Sequence, residues 1–306
     1  MIYSLTVTNY LGDQMTFELA NPWLNGLAIT KITGLGAADA DVNVTEIATG
    51  DGGKYNSSRV GTRNVVITFL PLLTDSQTVE DSRQLLYQYF HIKKQVTLHF
   101  STDNREVEIV GYAEKNDPDI FSDEEDVQIS VLCPDPYFYD MTDGGWTTVT
   151  FSGVNPLFEF PFENNSLTEN LIEFGEIKKK QKETVTYEGD AEIGFIIRMH
   201  ALGEVRMITI YDTDTRESMH IDTNRLKEII GSEIKYGDDI TINTIMGERS
   251  VTFLRDGVET NILNALDKDA DWFTLKSGDN HYAYVCEYGS EDLEFSIEFK
   301  TAFEGI

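Results

Sequence analysis

At 306 residues with a formal net charge of −29, the chain is long enough for two domains, each with its own core. It is acidic throughout: 21 acidic and 9 basic residues up to Asp140 leave −12, and the remainder carries −17, which excludes a basic footprint for nucleic acid. The two cysteines, Cys133 and Cys286, are too few for a disulfide framework and lack the clustered spacing of a zinc site, so they read as buried free thiols.

The N-terminus opens on two period-two runs, Tyr3-Leu5-Val7 and Met15-Phe17-Leu19, with turn-forming residues 9–13 between them. A β-hairpin follows from that pattern. No charged and apolar leader precedes it, and no run approaches a membrane span. The expectation is a protein made in the cytoplasm, not exported, with no membrane partner. Gly34-Leu35-Gly36 resembles part of a nucleotide loop, but the third glycine and a following helix pattern are missing. Residues 42–47 and 64–70 are strand-like, and the polar, glycine-rich stretch 49–59 between them reads as a long loop that becomes ordered against a neighbour or stays a free tip.

One helix is expected over 78–91, with Val79, Ser82, Leu86, Tyr89 and Phe90 on one face and Thr78 with Asp81 as its capped start. Strands at 96–100 and 106–112 follow, then an acidic run, 116–126, that reads as a solvated connection. Val127, Ile129 and Val131 alternate into Cys133-Pro134-Asp135-Pro136-Tyr137-Phe138. Pro134 removes a ladder donor and ends the strand there. The polar, glycine-containing stretch 141–146 has the composition of a boundary, so the domains are 1–140, a linker 141–146 and 147–306.

After the boundary almost every run is strand-like: 157–162, 184–187, 195–199, 205–211, 218–221, 240–243, 251–254, 272–275, 282–287 and 293–299. Many short strands at close intervals without a strong helical period point to an antiparallel sandwich or jelly roll. No catalytic or cofactor signature occurs: nucleophile-elbow, phosphate-loop and zinc-helix spacings are absent, and five histidines are scattered singly. Asp267, Asp269 and Asp271 alternate as in a calcium loop, yet Trp272 and Gly278 stand where an EF-hand needs glycine and glutamate, so that motif is excluded. Trp272 and Trp146 are candidate sugar-stacking residues, although core packing explains most aromatics in such a fold.

The exit strand with its Cys133-Pro134-Asp135-Pro136-Tyr137-Phe138 ending resembles the close of the N-terminal domain in the distal tail proteins (Dit family) of phages with long non-contractile tails. Three further stretches resemble, in this order, the galectin-like C-terminal β-sandwich of that family. They are the segment beginning Gly237-Asp238-Asp239, the segment beginning Trp272-Phe273-Thr274, and the ending Phe303-Glu304-Gly305-Ile306. The resemblance implies a mainly β protein without enzymatic activity or cofactor: an N-terminal ring-forming domain with one helix, then the galectin-like sandwich. It implies a homohexameric ring in the virion tail tip, with the tail tube protein and the tail-associated hub or lysin protein as partners, and in many phages receptor-binding proteins. It does not imply sugar binding; a carbohydrate-binding module attaching a particle to the host cell wall is the alternative reading of the second domain. The −12 balance on the first domain suggests an acidic ring lumen with no specific affinity for passing DNA.

Overall fold

The computed structural model describes residues 1–48, 50–74, 78–121, 125–155 and 176–306. These divide into two units, Met1–Gly145 with Ala302–Ile306, and Trp146–Thr301. The chain therefore passes from one unit to the other twice. The last five residues, which chain order alone assigns to the second domain, belong to the first unit.

In the first unit the alternating runs become β1 (Ile2–Thr8), β2 (Gln14–Glu18), β3 (Leu27–Thr33), β4 (Ala40–Glu46), β5 (Gly53–Val60), β6 (Arg63–Pro71), α1 (Val79–Tyr89), β7 (Gln95–Thr102), β8 (Glu106–Pro118), β9 (Val127–Cys133) and β10 (Phe138–Asp140). Among the described residues the main sheet is antiparallel in the order β2-β1-β7-β8-β9-β6-β3. Its alternate residues, such as Val65, Ile67, Phe69, Leu98, Ile109 and Ile129, are buried in one core. Period two is the cause: each inward side chain is followed by one that faces away.

Helix α1 begins with Thr78 and Asp81 in a reciprocal capping box, each side chain accepting from the other's backbone N–H, and adds Leu86 and Phe90 to that core. The Phe90 ring lies 5.8 Å from Phe69, which lies 5.0 Å from Phe17. Two expectations need correcting. The polar stretch after residue 52 is not a loop: Gly53–Val60 pairs antiparallel with Ala40–Glu46. The start of the acidic run is strand as well, because β8 continues to Pro118 and pairs there with Val127. Residues 122–124 of that run lie outside the described residues.

The second unit contains β11 (Thr147–Thr150), β12 (Ser152–Asn155), β13 (Glu176–Lys179), β14 (Lys182–Tyr187), β15 (Ile196–Ala201), β16 (Arg206–Asp212), β17 (Ser218–Ile221), α2 (Thr223–Ile230), β18 (Asp239–Asn243), β19 (Ser250–Arg255), β20 (Val258–Asn261), β21 (Gly278–Tyr288) and β22 (Leu293–Phe299); β23 (Ala302–Phe303) follows in the first unit. One sheet runs β11-β22-β15-β18-β19-β20 and another β14-β21-β16-β17. Aromatic rings join them face to face: Tyr284 stacks on Phe295 at 4.9 Å, and Tyr282 meets Phe195 at 5.2 Å. The unit is a β-sandwich, and the protein is mainly β.

Helix α2 falls where the sequence pattern shows no helical period, although its capping signals are present. Asp222 accepts from the N–H groups of Asn224 and Arg225, and Gly231 closes the helix at φ 81°. At eight residues it is too short for a conspicuous period. Residues 272–275 are not a ladder strand either; Leu275 makes only an isolated bridge with Ile193. The strand expected at 157–162 lies outside the described residues.

Candidate functional site

Two features of the first unit stand apart from the apolar packing of its core. One is the β4–β5 hairpin, every described residue of which is exposed. Its register sets Ala40 opposite Val60, Val42 opposite Ser58 and Val44 opposite Tyr55, with a bulge between Asn43 and Val44. Ala40, Val42, Val44, Tyr55 and Val60 thus share one side of the ribbon. The intervening residues carry the polar bonds: the Asn56 amide donates to Asn43 Oδ1 and Thr45 Oγ1, and Arg59 donates to Asp41. A two-stranded ribbon is marginal alone in water. An apolar stripe on such an arm gains free energy only by being covered.

The other feature is Arg63, only 3% exposed. It begins β6 on the inward parity of Val65, Ile67 and Phe69, so the alternation that builds the core also buries this guanidinium. Its Nε donates to the Pro136 carbonyl at 2.5 Å, Nη1 to the carbonyls of Gly34 (2.6 Å) and Gly36, and Nη2 to that of Glu304 at 2.5 Å. The Phe138 ring lies 4.6 Å below its central carbon. Burial lowers the Arg63 pKa, and burial pushes the neighbouring Cys133 thiol up to about 12. The planar fork suits several carbonyls at once.

The junction motif and the glycine loop acquire roles from this node. Asp135 accepts from the Tyr137 N–H and the Tyr139 hydroxyl, holding the turn between Pro134 and Pro136 that aims the Pro136 carbonyl. Phe138 enters the core against Phe100 at 6.0 Å and pairs with Phe303 of β23. Gly34, at φ 84°, leaves no room for a Cβ, which would lie 2.2 Å from the Asn64 oxygen. The Gly34-Leu35-Gly36 loop presents carbonyls to an arginine. Ile306 completes the arrangement by donating its N–H to the Leu35 oxygen.

The other candidates are dispersed. Trp146 is 45% exposed with Lys300 over its ring at 5.5 Å, and Trp272 is half-buried under Arg249 at 5.1 Å. Asp267 pairs with Arg225 at 3.1 Å, and Asp271 accepts from the Ser218 N–H at 3.2 Å. Among the described residues no group of three or more His, Cys, Asp or Glu side chains is placed to hold a metal ion. His200 meets Asp239, His281 meets Asp214 and His220 meets Thr209, three unrelated pairs. Cys286 is buried, with its thiol pushed up to about 11 by that burial.

Residues 23–152 match the family model of a phage tail protein RIFT-related domain, and residues 188–303 that of the siphovirus-type tail component, C-terminal domain. No curated protein sequence matches the chain significantly. Among solved structures, the SPP1 Dit protein (gp 19.1), described as a paradigm of the hub adsorption apparatus in Gram-positive infecting phages, aligns over 98% of this chain and 99% of its own, with a TM-score of 0.64 at 14% identity. A chain of the phage P2 baseplate in its activated conformation aligns over 98% of this chain and 99% of its own, at 11% identity and a TM-score of 0.46. The two family matches span most of the chain in one order, within a fold shared along its full length with SPP1 Dit: the chain belongs to the siphovirus-type tail component family, the distal tail (Dit) proteins, and is a structural component of a phage tail.

Proposed function

We propose that this protein closes a homohexameric ring at the distal end of the tail tube, in the tail tip of the virion. The ring joins the tube protein to the hub or tail-associated lysin protein and offers a platform for receptor-binding proteins. The observation that carries this reading is the exposed β4–β5 ribbon with its one-sided apolar stripe. An arm of this kind on each copy, seated on the next, is a heterologous contact, which generates a closed ring when the rotation closes. The first unit supplies the ring in this reading. The second is a two-sheet sandwich of galectin-like type, and the protein works by assembly, without catalysis.

Mass by light scattering with negative-stain imaging tests this. A six-membered annulus from the purified chain, alone or mixed with tube and hub proteins, is the expected result. A monomer under all of these conditions overturns it.

A further inference from the structure

The outward face of the six-stranded sheet of the second unit carries a groove of about 680 Å³, a feature that the assembly reading above does not use. Ile197, Met199, Ile240, Ile242, Val251 and Phe253 point into the sandwich core, so the residues between them face out. Cross-strand register lines these up. Thr150 stands opposite Ser296, Ser296 opposite Arg198, Arg198 opposite Thr241, and Thr241 opposite Thr252. A second row follows the same strands: Glu294, His200, Asp239, Leu254 and Glu259. All ten line the groove.

Adjacent strands lie about 4.8 Å apart, so the first row is a track of polar groups about 19 Å long. Four of its five members are hydroxyls, which both donate and accept. Arg198 adds donors, and the carboxylates of the second row add acceptors. Two side chains are already held in place, Arg198 by Glu298 at 2.6 Å and His200 by Asp239 at 2.6 Å, which lowers the ordering cost of binding. Leu254, 39% exposed, offers an apolar contact in the same trough.

We propose that this groove binds a neutral, polyhydroxylated glycan chain. Three considerations select that chemistry. The strands beneath are paired on both sides through β22, β15, β18 and β19, so a peptide finds no free backbone to extend. Asp239, Glu259 and Glu294 outnumber Arg198 among the lining charges, which disfavours phosphate polymers. Closely spaced hydroxyls with charged donors and acceptors match a ligand made of hydroxyls. The site differs from the sugar-stacking residues suggested by sequence, since neither Trp146 nor Trp272 lines it.

The full-length protein, applied to an array of neutral, amine-bearing and phosphorylated glycans, provides the test, with affinities for the neutral hits measured by calorimetry. At least one neutral glycan should bind, and Arg198→Met combined with the isosteric Thr241→Val should weaken it about ten- to a hundredfold. Trp146→Ala and Trp272→Ala should leave it unchanged, and unaltered melting temperatures and oligomeric state establish that the variants are folded. The proposal is overturned by no neutral binding at about 1 mM protein, by preference for phosphorylated glycans, or by loss of binding in a tryptophan variant but not in the groove variant. Because the readout is independent of ring closure, failure here leaves the assembly reading standing.

Discussion

Arg63 shows how one side chain can define a domain's edges. Its guanidinium bridges carbonyls from residues 34, 36, 136 and 304, four backbone groups drawn from three separate stretches of the chain. Arg63→Ala should cost about 3 kcal/mol or more, because several buried acceptors lose their partner. Arg63→Lys should rescue little of it, since one ammonium cannot reproduce the fork. Urea unfolding of the three proteins decides, and a Lys variant as stable as wild type would show that charge rather than geometry matters.

Both cysteines, Cys133 and Cys286, are buried free thiols. Burial pushes Cys133 from 9.0 to about 12 and Cys286 from 9.0 to about 11. The unfolded chain releases these protons first, so the stabilisation is complete below about pH 9 and is lost as pH rises through the folded values, by up to about 1.4 kcal/mol per pH unit for each group. Tyr284, raised by burial to about 12, adds to the same decline. Unfolding free energy should therefore fall above pH 9, and Cys133→Ala should show a shallower fall than wild type. Equal slopes would place the alkaline sensitivity elsewhere.

Among the elements, the β4–β5 ribbon is the one whose stability and purpose separate. Its polar side is satisfied internally, by Asn56 with Asn43 and Thr45 and by Arg59 with Asp41, while Val42 and Val44 on the other side remain about half exposed. Val42→Asp with Val44→Asp removes the stripe without touching either core. The melting temperature should change by less than about 2 °C, as for surface substitutions generally, while the mass in light scattering drops from ring to monomer. An unchanged mass would mean that the arm does not hold copies together.

For the whole molecule the dominant quantity is charge. A balance of −12 on residues up to Asp140 and −17 on the rest leaves neither half attractive to a polyanion. Fluorescence anisotropy with labelled duplex DNA at about 50 mM salt, where non-specific binding is strongest, should show no binding. A measurable affinity that falls steeply with salt would mean that a local basic surface outweighs the net charge, and would remove the argument for a lumen that lets DNA pass.

Periodicity alone determined much of this protein. Side-chain alternation marks β1, β6, β9, β15, β18 and β22, the capping box marks α1, and the two prolines after Cys133 mark the end of β9, because each is a local backbone preference that neighbouring residues suffice to express. Even the burial of Arg63 was legible in the parity of β6. Only the tertiary structure decided the rest. Residues 53–60 read as loop because polar, glycine-containing strands carry no hydrophobic period, and their pairing with β4 supplies the missing signal. The return of Ala302–Ile306 to the first unit, the convergence of four carbonyls on Arg63 and the alignment of Thr150, Ser296, Arg198, Thr241 and Thr252 all depend on register between segments far apart in the chain. Register is set by which strands meet, and no local pattern encodes that.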